Sequence, residues 1–396
     1  MDSKKAKKLL VILGAIAFLA QGDNYAAAPL LINIAKDLHL TIPSAALSVS
    51  AYMIPFGLFT LLFGPLADRY GKAKVLNLAT FGTAIFSMLS ATAFNLSSLC
   101  ILRAINGAFA AAVLPVAVSL VGDSFDDKHR QNALGAVIGI MFLGGAVAPA
   151  IGGALAFWGS WRLLYLVYGV AEFIVALIML RQLEKEPGVL KTLNFSLVYK
   201  EAFANKDLIK VVSVLFFMGF AIFGSFMYSG KFVQVRLGYN ILAVGLLVSL
   251  FGIGTAIGGK KSGTIRHCIG NKVIILAGFF GGICWMTMAF WSSPILMAVS
   301  LIGFGFSDIL IQTTLIETAQ QLMPKQKGTV MSLASFNMFM GGGIGTFVNG
   351  RLLKVFGFDP IFFSAATIIF FVGVVSTILL NRFSMSTKKE AQLSMP

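Results

Sequence analysis

The chain has 396 residues, of which 57% are hydrophobic and only 12% charged, with a mean hydropathy of +0.86. A soluble domain carries roughly twice that charged fraction, so a water-soluble globular protein is excluded. Lys and Arg number 31 against 16 Asp and Glu, a net charge of +15 that would suggest nucleic acid in a soluble chain but basic loops, with no nucleic-acid partner, in a membrane chain.

A helix needs about 20 apolar residues to cross the hydrocarbon core. Runs of that kind lie near 9–35, 46–67, 75–95, 99–121, 134–157 and 163–180. A polar stretch follows from Arg181 to Lys210, and six more runs lie near 211–234, 241–259, 273–291, 295–318, 329–350 and 361–381. The first run begins as a basic segment before an apolar one, like a leader peptide. Its apolar character resumes after Asp23 and Asn24 with YAAAPLLINIA, so a retained, interrupted helix is expected. The expectation is therefore an all-α membrane protein with 12 transmembrane helices. A six-helix bundle over 1–180 and a second over 211–396 are joined by a linker at 181–210.

An even number of spans puts both termini on one side, and basic residues choose the side. With the termini inside, 24 of the 31 Lys and Arg fall on inner segments. The expected location is a cell inner membrane with both termini cytoplasmic and the chain monomeric. The halves also repeat. GPLADRYGKAKVL from Gly64 matches GTIRHCIGNKVII from Gly263, with Gly71 over Gly270, and FLGGAVAPAIGG from Phe142 matches FMGGGIGTFVNG from Phe339. Two glycine patterns at nearly one offset imply two pseudo-symmetric six-helix repeats, an architecture used by secondary transporters.

Gly64, Asp68, Arg69, Gly71 and Lys72 lie in a segment, GPLADRYGK, that resembles the signature loop of the major facilitator superfamily, with Ala73 where a second basic residue is usual. The resemblance covers essentially the whole chain. Arg103-Ala-Ile-Asn106-Gly107 is similar to the helix 4 motif of drug–proton antiporters, with Asn106 replacing glutamine. Gly144, Ala148, Pro149, Gly152 and Gly153 resemble the helix 5 antiporter motif, and Asp23-Asn24 through Pro29 to Asp37-Leu38 resembles the helix 1 motif. Together they imply a proton-coupled exporter with a central cavity lined by helices 1, 4, 7 and 10. They also imply an inner-face latch at Asp68, for which Arg130 is a candidate partner. His267 stands where the second repeat would place its Asp68, so that latch is expected to be weaker.

From physics alone, Gly64 and Gly71 are expected to bracket a tight turn, with Gly64 leaving room for a neighbouring helix. Ionisable residues inside spans are costly and mark function by default. Four qualify: Asp23, Arg103, Glu172 and Asp308, the candidates for coupling protons to substrate. None recurs in the other repeat, where Ile222, Ile302 and Phe109 match Asp23, Arg103 and Asp308. Carboxylates shielded from water can exchange protons near neutral pH, and a cationic substrate would favour the deprotonated form. Taken as straight helices, the rise per residue separates Asp23 and Arg103 by about 12 Å, leaving their pairing open. Asn24, Tyr52, Asn106, Phe220 and Asn337 are the candidates for the substrate cavity, where aromatics and methionines suit varied ligands. In helix 5, glycines and Pro149 can bring backbones close and seal the cavity, as can Gly341 to Gly345 in helix 11.

No catalytic constellation and no GxxxxGK[ST] phosphate loop is present, so neither an enzyme nor a cofactor is expected and a gradient must supply the energy. Three cysteines (Cys100, Cys268, Cys284) form no CxxC pair and the three histidines are scattered, so no metal site is expected. The expected function is proton-coupled export of drugs or amphipathic molecules. Transport of one metabolite, such as a sugar, amino acid or siderophore, is the alternative, and a membrane-embedded enzyme or receptor is the remote one.

Overall fold

A computed structural model describes residues 3–183, 187–188 and 195–393, and these are almost entirely helical. In chain order the helices of the first half are α1 (Ser3–Tyr25), α2 (Ala27–Asp37), α3 (Ile42–Tyr70), α4 (Lys72–Ser90), α5 (Leu96–Ala110), α6 (Val113–Ser124), α7 (Asp127–Trp158) and α8 (Trp161–Gln182). After α9 (Phe195–Ala204) come α10 (Lys206–Leu237), α11 (Ile241–Ile269), α12 (Lys272–Phe290), α13 (Pro294–Leu322), α14 (Lys327–Phe356) and α15 (Asp359–Leu393).

Among the described residues ten helical segments are long and apolar enough to cross a bilayer, with α5 and α6 counted as one, or eleven if the bent pair α1 and α2 is also one span. The remaining expected span, 329–350, lies in α14. That helix is 30 residues long, but its glycines, serines, asparagines and flanking Lys and Arg dilute its apolar character. Part of the expected linker is helical, since α9 and the first turn of α10 lie within 181–210.

The helix ends follow local chemistry. Thr41, Ser160 and Asn240 cap α3, α8 and α11 by accepting backbone N–H groups of the first turn, and Asn95 and Ser98 form a reciprocal capping box on α5. Gly71 (φ 95°) and Gly270 (φ 61°), the repeat-related pair, both terminate helices in the left-handed region. Gly64 does not bracket that turn: α3 runs through it to Tyr70, and a Cβ there would meet only Ser332 Oγ, at 3.9 Å. The close approach lies two turns earlier. A Cβ on Gly57 would sit 3.2 Å from both the Phe336 carbonyl and Met340.

Apolar surface gains little from leaving lipid for another helix, so small residues and interhelical hydrogen bonds hold the bundle. The α3–α14 pair is one such seam. Ser50 Oγ donates to the Gly343 carbonyl (2.8 Å), and Phe56 stacks on Phe339 at 4.0 Å. On the other seam, α7 against α11, the Ala150 N–H donates to Ser249 Oγ (2.8 Å), and Gly153 leaves room for the Ile241 carbonyl.

The repeat recurs in these contacts about 198 residues apart. A Cβ on Gly144 would strike the Phe18 carbonyl of α1, and one on Gly341 the Phe216 carbonyl of α10. Gly107 stands in the same way against Tyr52, and Gly305 against Phe251. At one end of the molecule Arg162 pairs with Asp37 and donates to the Ala93 carbonyl (2.8 Å). Arg236 pairs with Asp359 (2.6 Å) and donates to the Ala289 carbonyl (3.3 Å), the same device with its charges exchanged between helices.

Gly107→Ala forces a methyl group into the Tyr52 backbone and is expected to cost about 1–3 kcal/mol. Gly139→Ala, exposed and with nothing near the added carbon, is expected to lose nothing. Thermal unfolding of the detergent-solubilised protein compares the two.

Candidate functional site

The site grows from a break in the first span. Pro29 lacks an N–H, and its ring crowds the Tyr25 carbonyl, so α1 and α2 meet at Ala26 with a bend of 50°. Asp23 and Asn24 lie just before the break, about 22 Å along the helix from Lys8. Helix 4 is also interrupted between α5 and α6 at Ala111–Ala112, where Pro115 crowds the Ala111 carbonyl, although the two remain one span.

The bend brings α1 and α5 together at their charges. Arg103 Nη1 donates to Asp23 Oδ2 at 2.5 Å, with both side chains no more than 2% exposed. The 12 Å separation of straight helices is thus removed: the bend tilts α2 and the long arginine side chain spans the rest. The guanidinium lies over two rings, 4.3 Å from the Tyr52 centroid and 5.0 Å from that of Tyr165. Glu172 of α8, equally buried, lies close enough to Asp23 and Arg103 for direct electrostatic interaction. Asn106 Nδ2 donates to the Thr83 carbonyl (3.1 Å), tying α5 to α4 on the same side.

Several buried polar atoms here lack a hydrogen-bond partner among the described residues: Asp23 Oδ1, both side-chain polar atoms of Asn24, the Tyr52 and Tyr168 hydroxyls and Glu172 Oε2. Buried polar groups are nearly always satisfied, so this cluster of unpartnered atoms among the described residues stands out from the rest of the bundle.

Asp308 sits elsewhere, on α13, buried and electrostatically coupled to Tyr25, two residues after Asp23. Tyr25 packs against Phe223, Phe226 and Phe251, and Phe223 continues the aromatic wall to Phe339 and Phe56. Of the expected cavity residues, Tyr52 belongs to the charged cluster, Asn24 is buried beside Asp23 in the chain, and Asn106 faces α4. Phe220 and Asn337 remain near the α10–α14 contact, and Asn337 donates to the Leu333 carbonyl of its own helix (2.9 Å).

The helix 5 motif divides its contacts. Gly144 and Gly152 face Phe18 and Ala26 of the first span, whereas Pro149 and Gly153 face α11. At the signature loop, Asp68 lies 4.0 Å from Lys72, which also pairs with Asp123. Arg130 donates to the Phe125 carbonyl through Nε (3.3 Å) and Nη2 (3.2 Å). Arg69 lies over its neighbour Tyr70. In the second repeat Arg266, beside His267, pairs with Glu317 (2.5 Å) and holds Thr318.

Tyr165 and Tyr168 were not among the expected site residues. With Glu172 they form a stripe at i, i+3 and i+7 on one face of α8, a spacing visible in the sequence.

Removing one partner of a buried pair strands the other charge. Arg103→Leu is expected to lower stability by about 3–5 kcal/mol, and adding Asp23→Leu to recover most of that loss. Denaturation of both variants, compared in one detergent, reads the difference.

The Major Facilitator Superfamily pattern matches residues 13–346. The MFS-type transporter YceJ of Bacillus subtilis is 22% identical over 361 residues, covering 88% of this chain and 92% of YceJ. The multi-drug resistance efflux pump PmrA of Streptococcus pneumoniae is 27% identical over 348 residues, 83% of this chain and 84% of the pump. The MFS-type transporter YdgK of Bacillus subtilis is 23% identical over 338 residues, 82% of this chain and 83% of YdgK. A pattern spanning most of the chain and relatives aligned nearly end to end agree with the broken, glycine-seamed helices: the chain belongs to the major facilitator superfamily, as a multi-pass membrane transporter.

Proposed function

We propose that this transporter exports drugs or amphipathic small molecules in exchange for protons. Two six-helix bundles, residues 1–180 and 211–396, would rock about the linker at 181–210. The termini would face the cytoplasm, the chain would act as a monomer, and the membrane would be the cell's inner membrane. One observation carries the reading: a buried carboxylate–guanidinium pair at a break in the first span, with one carboxylate oxygen unpartnered.

A pair of this kind has two states. With Asp23 ionised, Arg103 is neutralised and the break is pinned to α5. With Asp23 protonated, the attraction is lost and Arg103 rests on Tyr52 and Tyr165 alone, so α1 and α2 are released relative to α5. Glu172 supplies a second carboxylate beside the same arginine and can take the charge that Asp23 gives up. The break also faces Gly152 of α7 and, through Tyr25, the aromatic wall shared with α10 and α14. A proton at Asp23 is thereby felt where an amphipathic ligand would lie. Asp308, across Tyr25, offers the anionic contact that a cationic substrate needs. The printed name of PmrA supports the drug-export reading.

Transport into inverted vesicles, with and without a pH gradient, over cationic and neutral substrates tests the coupling. Asp23→Asn keeps an oxygen for Arg103 and is expected to remain folded but to lose substrate-driven proton flux in proteoliposomes. Wild-type coupling in that variant overturns the assignment. Asp68→Asn is expected to slow transport and change accessibility labelling of the inner face. If both stay as in wild type, the latch role fails.

A further inference from the structure

The short helix α9 is tied to both halves of the chain. Tyr199 and Ala202, three residues apart on one face, are buried, whereas Glu201 and Phe203 are exposed. The Tyr199 hydroxyl donates to the Leu61 carbonyl of α3 at 2.7 Å. In a continuous helix that carbonyl would accept the N–H of residue 65, but Pro65 has none to give. A carbonyl freed by a proline inside α3 is thus taken by a side chain of α9. The other fastenings go to the second half. Gln326 Nε2, in the turn before α14, donates to Glu201 Oε2 at 2.5 Å. Asn205 Nδ2 donates to the Leu322 carbonyl at the end of α13 (3.3 Å), and its Oδ1 caps α10 by accepting the Leu208 N–H (3.0 Å). Ser332 of α14 lies close enough to the Tyr199 hydroxyl to interact with it, and 3.9 Å from where a Cβ on Gly64 would sit. The helix therefore crosses the α3–α14 seam at the end nearest the signature loop.

We propose that α9 is a strap holding α3 against α14 at this end of the seam, and that the Tyr199–Leu61 bond is the fastening released when the halves part. The proposal rests on the rocking of two bundles put forward above. Among the described residues α9 and its cap make two side-chain bonds to the α13–α14 turn and one to α3, and Asn205 also fixes the start of α10. The strap therefore stays with the second half, and α3 is the partner it lets go. One neutral hydrogen bond biases such an equilibrium about 5-fold, enough to favour one state and little enough to be broken in each cycle.

Spin labels at Lys74→Cys on α4 and Lys327→Cys on α14, both exposed positions, report the distance across the seam. They are placed in the full-length protein with Cys100, Cys268 and Cys284 changed to serine, and pulsed electron paramagnetic resonance in lipid nanodiscs reads the distances. Tyr199→Phe, which removes only the hydroxyl, is expected to raise the ratio of the longer to the shorter distance about 5-fold. Pro65→Ala gives the Leu61 carbonyl a rival donor and is expected to shift the ratio the same way with Tyr199 intact. Because both changes act on one bond, their combined effect is expected to fall short of the product of the two. Two distances in wild-type proportion in Tyr199→Phe overturn the strap, even if the unfolding midpoint falls, and so do effects that multiply in full. A single distance in every sample, at acid and at alkaline pH, overturns the rocking itself and the strap with it.

Discussion

The contact on which the rest turns is the ion pair between Asp23 and Arg103. Bringing either charge alone into a place no more than 2% exposed would cost several kcal/mol. Together they are tolerable only at close range, and Arg103 Nη1 lies 2.5 Å from Asp23 Oδ2. The pair stands one turn before the break in the first span, where the glycines of α7 admit the backbone of α1 closely. Two tyrosine rings complete it by giving the guanidinium faces to rest on where water is absent.

Around that centre the bundle is held less by large side chains than by their absence. In lipid the gain from burying one apolar face against another is small, and backbones must come close to gain dispersion and hydrogen bonds. Both halves solve this at matching positions, with glycine against the carbonyl of the neighbouring helix. The two seams between α3 and α14 and between α7 and α11 use the same means, each with one interhelical hydrogen bond beside the close backbone approach. The ionisable residues break the symmetry. The charged cluster belongs to α1, α5 and α8, whereas Asp308 stands on α13 across an aromatic wall.

Most of the fold was legible because a span announces itself by length and apolarity. One that did not fit was α14, whose glycines and asparagines serve packing and lower its hydropathy. The four intramembrane charges were legible for the same reason that they are costly. Their pairing was not, since a rise of 1.5 Å per residue assumes straight helices and Ala26 ends that assumption. Glu172 lies outside helices 1, 4, 7 and 10, yet the face that Tyr165, Tyr168 and Glu172 share turns it inward. Gly64 and Gly71 read alike in the motif. Only Gly71 has a backbone angle that demands glycine, whereas Gly64 lies inside a continuous helix.

The exchanged ion pairs at the ends of α2 and α10 bear on how the chain avoids assembling wrongly. Two similar halves can trade partners during folding, with the end of one half's first span docking on the last helix of the other. Such a swap would set Asp37 of α2 against Asp359 of α15, and Arg236 of α10 against Arg162 of α8. Correct docking joins opposite charges at both places, and the swapped form joins like charges at both. Half-exposed pairs add little to stability in the finished protein. Their reversed polarity instead disfavours the swapped arrangement, which would set like charges together at both places.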